Sequence, residues 1–306
     1  MEVHFYVEVS SEGTTIATTS FDPILPNPVL LRTGIAKVTV KRSPNIVLSV
    51  SVIQPEITPR GFVNVIVEAK RDEIPVGNLP VQLLAKGVEG TGGHAHVGGR
   101  PAGTFLLSQG RTGPNGRYAT LYVASDFGGR ERITAKSAET SSQDSLDLIV
   151  RVPNLLPLQS GTNHIITMHT TAEAENQHTI TNSNHGTANV VARVRAAVLE
   201  YAVELGLSGN VFLAAIDMSL PSGGLFDIDG NWSPPHRWHR FGKSIDFRPF
   251  YVNTNQQIIT VPIVIDGEQR GATNKVDAEL LDKRFDLRGF DRFERRIGKI
   301  HYESRN

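Results

Sequence analysis

The sequence predicts a two-sheet β-sandwich followed by a region of mixed α and β structure, and three observations carry that prediction. Up to about residue 150 the chain is written in short runs that alternate apolar and polar residues, divided by Gly, Pro, Asn and Asp. After Pro153 the alternation gives way to a polar stretch rich in Asn, Thr and His. A helical pattern then appears for the first time, over residues 188–205. A period of two sends successive side chains to opposite faces of a strand, whereas a period of 3.6 lays an apolar stripe along a helix, so the switch marks a change of architecture.

In chain order, Met1 to about Pro44 reads as a partial β module or leading strands. The best continuous β unit spans about residues 45–152. Within it Val47-Leu48-Ser49-Val50-Ser51-Val52 and Val63-Asn64-Val65-Ile66-Val67 read as strands, and Gly113-Pro114-Asn115-Gly116 reads as the turn into a strand from Arg117 to Val123. Two packed antiparallel sheets bury one face of each such strand. Residues 153–186 read as a connector or extended lid. Thr187 then offers a side-chain oxygen to cap a helix over 188–205, whose apolar face is Val190, Val191, Val194, Ala197, Val198, Tyr201 and Ala202 and which Gly206 ends. Strand-like runs at 211–215 and 258–264 and a second helix near 276–284 come next, so the region 187–306 is expected to be α+β.

Composition narrows the function classes. Of 306 residues, 39% are hydrophobic and 20% charged, which suits a folded protein and excludes a disordered one. Lys plus Arg equals Asp plus Glu at 31 each, so no overall field draws the chain to nucleic acid, and no nucleic-acid partner is expected. Cysteine is absent, which leaves any metal chemistry to the histidines and carboxylates. No run approaches the roughly 20 apolar residues that span a bilayer, and the first residues lack a signal-peptide core. The chain is either cytoplasmic or starts inside a longer exported protein; its strand-like beginning favours the second.

The most informative motif is His239-Arg240-Phe241-Gly242-Lys243-Ser244-Ile245-Asp246, in which His239 and Asp246 form an HxxGxxxD half-site. A neutral imidazole and a carboxylate are good zinc ligands, and a catalytic Zn2+ needs three protein ligands with one position open to water. Gly242 permits a tight turn between the two. Asp246 alternates with Ile245 and Phe247, which puts its carboxylate opposite a buried face. The plainer alternative is that His239 and Asp246 only hydrogen-bond near a turn. On a strand, His301 and Glu303 point to one side, so His301 is a candidate third ligand with Glu303 beside it. His236 reads as rim. His94 and His96 share a strand face but stand between glycines that favour a loop, and His164, His169, His178 and His185 fall in the connector. Asp217 and Asp227 either orient ligand histidines or cap turns.

The segment Asp217-Met218-Ser219-Leu220-Pro221-Ser222-Gly223-Gly224-Leu225-Phe226-Asp227, followed by Trp232, Pro234, Pro235, His236 and the half-site, resembles the zinc D-alanyl-D-alanine peptidase and hedgehog-like superfamily over about residues 153–306. The resemblance implies an α+β zinc peptidase-like domain with His239 and Asp246 on the metal. It also implies that His301-Tyr302-Glu303-Ser304 is the strand of the general base, which Glu303 matches. The family's Ser two before the first ligand and Ala two before the Asp are here Arg237 and Ser244. Either the third ligand lies beyond Asn306, in a domain truncated at its C-terminus, or His301 supplies it. Arg240 or Arg237 would steady an oxyanion or grip a carboxylate. The implied activity is hydrolysis of cell-wall (peptidoglycan) peptides by metal-activated water. The alternative is a non-catalytic cell-surface binding or adhesion protein with an incomplete zinc site. Residues 92–101 and 113–118 resemble bacterial immunoglobulin-like modules of surface proteins, which implies an immunoglobulin-like sandwich over 45–152 and an extracellular or cell-envelope location.

Overall fold

A computed structural model describes residues 6–9, 15–18 and 46–306, apart from 95–97, 162–164, 168–182, 228–231, 233–238, 266–267, 297–298 and 306. The chain divides into two units, Met1–Asn45 and Ile46–Asn306. In the first, Tyr6–Val9 (β1) and Thr15–Thr18 (β2) pair antiparallel.

The second unit begins with the alternating runs. Val47–Val52 (β3), Phe62–Arg71 (β5), Arg117–Val123 (β10) and Thr104–Phe105 (β8) lie side by side in that order, with Ile74–Pro75 (β6) folded back on β5. A second sheet runs Glu56–Ile57 (β4), Gln143–Val150 (β12), Gly129–Lys136 (β11), Pro80–Val88 (β7) and Gln109–Arg111 (β9). The strict alternation buries one face of each sheet: Val65, Val67, Ala69 and Tyr122 of the first sheet meet Leu83, Ile133, Ala135, Leu148 and Val150 of the second. The one carboxylate in this core is satisfied. Glu131, fully buried, accepts hydrogen bonds from the Tyr122 hydroxyl at 2.5 Å, Ser125 N at 3.1 Å and Gly103 N at 3.2 Å.

Beyond the sandwich, Leu155–Pro157 (β13) pairs with His185–Thr187 (β15). A five-stranded sheet runs Ile165–Thr167 (β14), Phe212–Ala215 (β16), Ser244–Val252 (β17), Lys299–Ser304 (β21) and Phe290–Arg296 (β20), and Val261–Ile265 (β18) with Glu268–Thr273 (β19) makes a separate hairpin. Two helices, Ala188–Glu204 (α1) and Ala278–Leu287 (α2), cover one face of that sheet. Thr187 Oγ1 accepts from Val190 N at 3.4 Å and caps α1. Ile245 and Phe247 of β17 and Ile300 and Tyr302 of β21 point into the helix-covered core, where Phe285 of α2 stacks on Tyr302 at 4.1 Å between ring centroids. By the period of two, Ser244, Asp246, Lys299, His301 and Glu303 therefore project from the opposite face.

The fold class expected from the sequence, a sandwich followed by an α+β zinc peptidase-like domain, needs correction. The chain is mostly strand, 47% against 12% helix, and residues 46–306 close into one unit. The physical reason is that 3.6-residue periodicity is confined to α1 and α2, and the other regular elements described are strands. Among the described residues, no helix is long and apolar enough to cross a membrane.

Candidate metal centre

The ladder between β17 and β21 sets Asp246 directly opposite His301. Opposed residues on one face of an antiparallel pair keep their Cβ atoms about 4.5–5.5 Å apart, so the two side chains emerge together. His301 Nδ1 lies 2.5 Å from Asp246 Oδ1. His239 arrives from the turn before β17, where its backbone is left-handed, with φ 53°. Gly242, three residues on, is left-handed too, and a Cβ there would stand 2.9 Å from Gly186 Cα. His239 Nε2 is 3.4 Å from Asp246 Oδ2, and its ring stands perpendicular to that of His301, 5.1 Å between centroids at 86°.

One ligand atom from each of His239, Asp246 and His301 can be chosen so that all lie within 4.8 Å of one another. The donor set fits a divalent transition metal. Donors about 2.0–2.1 Å from a tetrahedral ion stand roughly 3.3–3.4 Å apart, and His239 Nε2 and Asp246 Oδ2 are at 3.4 Å. The three residues are only 1%, 3% and 8% exposed.

Electrostatics follow from the same contacts. Burial works against the Asp246 carboxylate, but the two imidazoles outweigh it and hold the group far below the usual carboxylate range. Burial likewise works against a charged His239, and the adjacent Asp246 outweighs that, so the imidazole is raised above its ordinary value. Lys299 shares the face: its Nζ is 3.2 Å from Asp217 Oδ2 and 3.9 Å from Asp246 Oδ2.

Of the residues singled out in the sequence, the fold thus gathers His239, Asp246 and His301. Glu303 lies two residues along the same face, its backbone opposite Ser244. Arg240 follows His239, and its carbonyl accepts from Gly224 N at 2.8 Å. Among the described residues, no hydrogen bond or ion pair ties the Glu303 or Arg240 side chain to the triad. His96, His164, His169, His178, His236 and Arg237 lie outside the described residues. His185 is in β15. Asp217 faces Lys299, while Asp227 takes a hydrogen bond from buried His94 at 2.9 Å. Sequence reasoning passed over Lys299, although its place two residues before His301 on an alternating strand puts it on the same face.

No family model matches the chain, and no curated protein matches it either. Solved structures similar to it include bacterial adhesins. The D00-D0 domain of intimin is 17% identical with a TM-score of 0.28 and covers 35% of this chain and 48% of its own, so the chain spans about half that structure. The Yersinia pseudotuberculosis adhesin InvE is 12% identical at a TM-score of 0.35, over 75% of this chain and 70% of its own. The Escherichia coli adhesin FdeC is 9% identical at 0.24, over 86% and 56%. The expected membership of the zinc D-alanyl-D-alanine peptidase and hedgehog-like superfamily, and with it the metallopeptidase reading, does not stand: no family model supports it, and the similar structures named are adhesins. That resemblance hung on short runs at 217–246 and 301–304, a pattern that a glycine turn between strands also satisfies.

Proposed function

We propose that this chain is a non-catalytic binding protein of the cell surface. Its sandwich is the contact module, and a divalent metal, Zn2+ by the preference of its donors, fastens the turn before β17 to β21. The carrying observation is closure. The candidate ligands His239, Asp246 and His301 are all buried; three protein ligands leave one position for water, but side chains so far removed from solvent present no open face to a substrate. The sandwich supports a binding role in its own right. Phe62 (71% exposed), Leu106 (73%) and Leu107 (59%) stand out around the paired ends of β5 and β10, and clustered apolar exposure marks protein-interaction surfaces. The partner is accordingly a protein surface.

Bound metal per chain, by elemental analysis of the purified protein, tests the reading alongside thermal unfolding with and without chelator. One equivalent of metal is expected, abolished by His239→Ala and by Asp246→Ala. At a free metal concentration about 100 times Kd the ion contributes about 2.7 kcal/mol, so chelation should lower Tm by roughly 5–10 °C in a unit of this size. Metal-free protein, or metal that survives both substitutions, refutes the fastening role.

A further inference from the structure

The segment 220–227 lies between the sandwich and the turn that carries His239, touching both. On the sandwich side the contact is backbone to backbone. Leu225 N donates to Asp126 O at 2.8 Å, Val152 N donates to Ser222 O at 2.9 Å, and Phe127 and Gly224 form an antiparallel bridge. Such an approach requires missing side chains. A Cβ on Gly128 would collide with the Gly223 carbonyl and sit 2.6 Å from Ser222 O, and one on Gly224 would meet Asp126 O at 2.6 Å. Side chains then close the seam. His94 Nδ1 and Asp227 Oδ1 are 2.9 Å apart with both side chains fully buried. Trp232 donates from Nε1 to Gly98 O at 2.7 Å and packs on His94 and Phe127 at 4.9 and 5.2 Å, and the Arg100 guanidinium lies 5.3 Å from the Trp232 ring centre.

The other side of the same segment holds the metal turn. Gly224 N donates to Arg240 O at 2.8 Å, and the Phe226 ring meets His239 edge-on at 6.3 Å. His239 needs such holding, because a non-glycine residue in the left-handed region costs about 1–3 kcal/mol and persists only where its surroundings over-determine it.

We infer that the sandwich positions His239. Through His94, Asp227 and the glycine contact at Gly128, it sets the segment 220–227, which in turn fixes the turn at 239–240, so that a competent metal site exists only while the two halves are docked. His94 and Gly128 are positioning residues, outside the ligand set. The inference rests on the metal reading under Proposed function, but its structural core can be tested without metal.

The full chain is compared with His94→Ala, His94→Asn and Gly128→Ala by two measurements: zinc affinity in chelator competition, and amide exchange of the peptide covering residues 239–246. The Asn amide can still donate to Asp227. Gly128 is not left-handed, so alanine there acts on the seam rather than on its own backbone. His94→Ala and Gly128→Ala should weaken zinc at least tenfold and speed exchange at 239–246 at least tenfold, with β5 and β10 unchanged, and His94→Asn should recover most of both. Unchanged affinity and exchange in both variants overturn the positioning role and leave the metal reading standing. If the unmodified chain binds no zinc, the metal reading falls and exchange alone decides: faster exchange at 239–246 upholds positioning, and unchanged exchange overturns it. Should His94→Ala loosen β5 and β10 themselves, Gly128→Ala, which leaves every core side chain in place, decides between the two outcomes by the same measurements.

Discussion

Replacing Phe285 with alanine tests how the metal face depends on the core behind it. Phe285 is fully buried, stacked on Tyr302 at 4.1 Å and 18°, with Phe290 at 5.1 Å and Phe247 at 5.4 Å. Truncating a buried Phe to Ala costs about 3–5 kcal/mol, and aromatic pairs add about 0.5–1.5 kcal/mol beyond area. Collapse into the hole is limited, because Phe247 and Tyr302 belong to strands fixed by the β17–β21 ladder. The loss should therefore lie near the top of the range, about 4–5 kcal/mol, whereas Phe285→Leu should cost no more than about 1.5 kcal/mol. Urea unfolding, followed by circular dichroism and fluorescence, would read this as a lower midpoint at unchanged m. Because Phe247 follows Asp246 and Tyr302 follows His301, zinc affinity should fall with stability. A Phe285→Ala cost below about 1.5 kcal/mol, or one equal to that of Phe285→Leu, would show that the aromatic stack is not what supports these strands.

Two further outcomes arise from buried charge. Tyr122→Phe removes one of three hydrogen bonds to the Glu131 carboxylate and should cost about 1.5–3 kcal/mol by chemical unfolding; a neutral effect would mean that this carboxylate does not depend on the Tyr122 hydroxyl. In chelator-stripped protein, Asp246 has a folded pKa below its unfolded value, so its contribution is present above about pH 4 and is lost on acidification through the folded value. His239 has a folded pKa above its unfolded value, so its contribution is full below about pH 6.5 and is lost as pH rises through the folded value. Metal-free stability should thus peak between these limits, and Asp246→Asn should flatten both flanks. Added metal should reverse the alkaline flank, since ligation needs neutral imidazole. Unfolding titrations across pH, with and without chelator, check both signs.

Helix α1 was the most legible element, because its signals agree. The seven residues read as its apolar face are the seven it buries, and Thr187 caps it. Strand β10 kept its expected limits, since a glycine turn before it and strict alternation within it leave one register. At the candidate site, alternation set Asp246 opposite Ile245 and Phe247 and put His301 on one side with Glu303, and Gly242 signalled the turn after His239; the pairing of β17 with β21 that faces Asp246 to His301 is written in neither run. The pairing of His94 with Asp227 could not be read, because the residues are 133 apart in sequence. The glycines at 92–93 suggested an open loop, yet His94 is only 2% exposed. Their small size permits close approach of a second backbone as readily as a solvent turn.

Modules strung on a linker ordinarily sample many mutual angles, and a partner that touches two of them must first choose one. The contact of Gly128 with the 222–224 backbone removes that freedom between the sandwich and the residues beyond Pro153. A ligand wide enough to reach from Phe62 to the second half would meet both surfaces already in register. The orientational entropy of that encounter is then lost once, when the chain folds, and need not be lost again at each binding event.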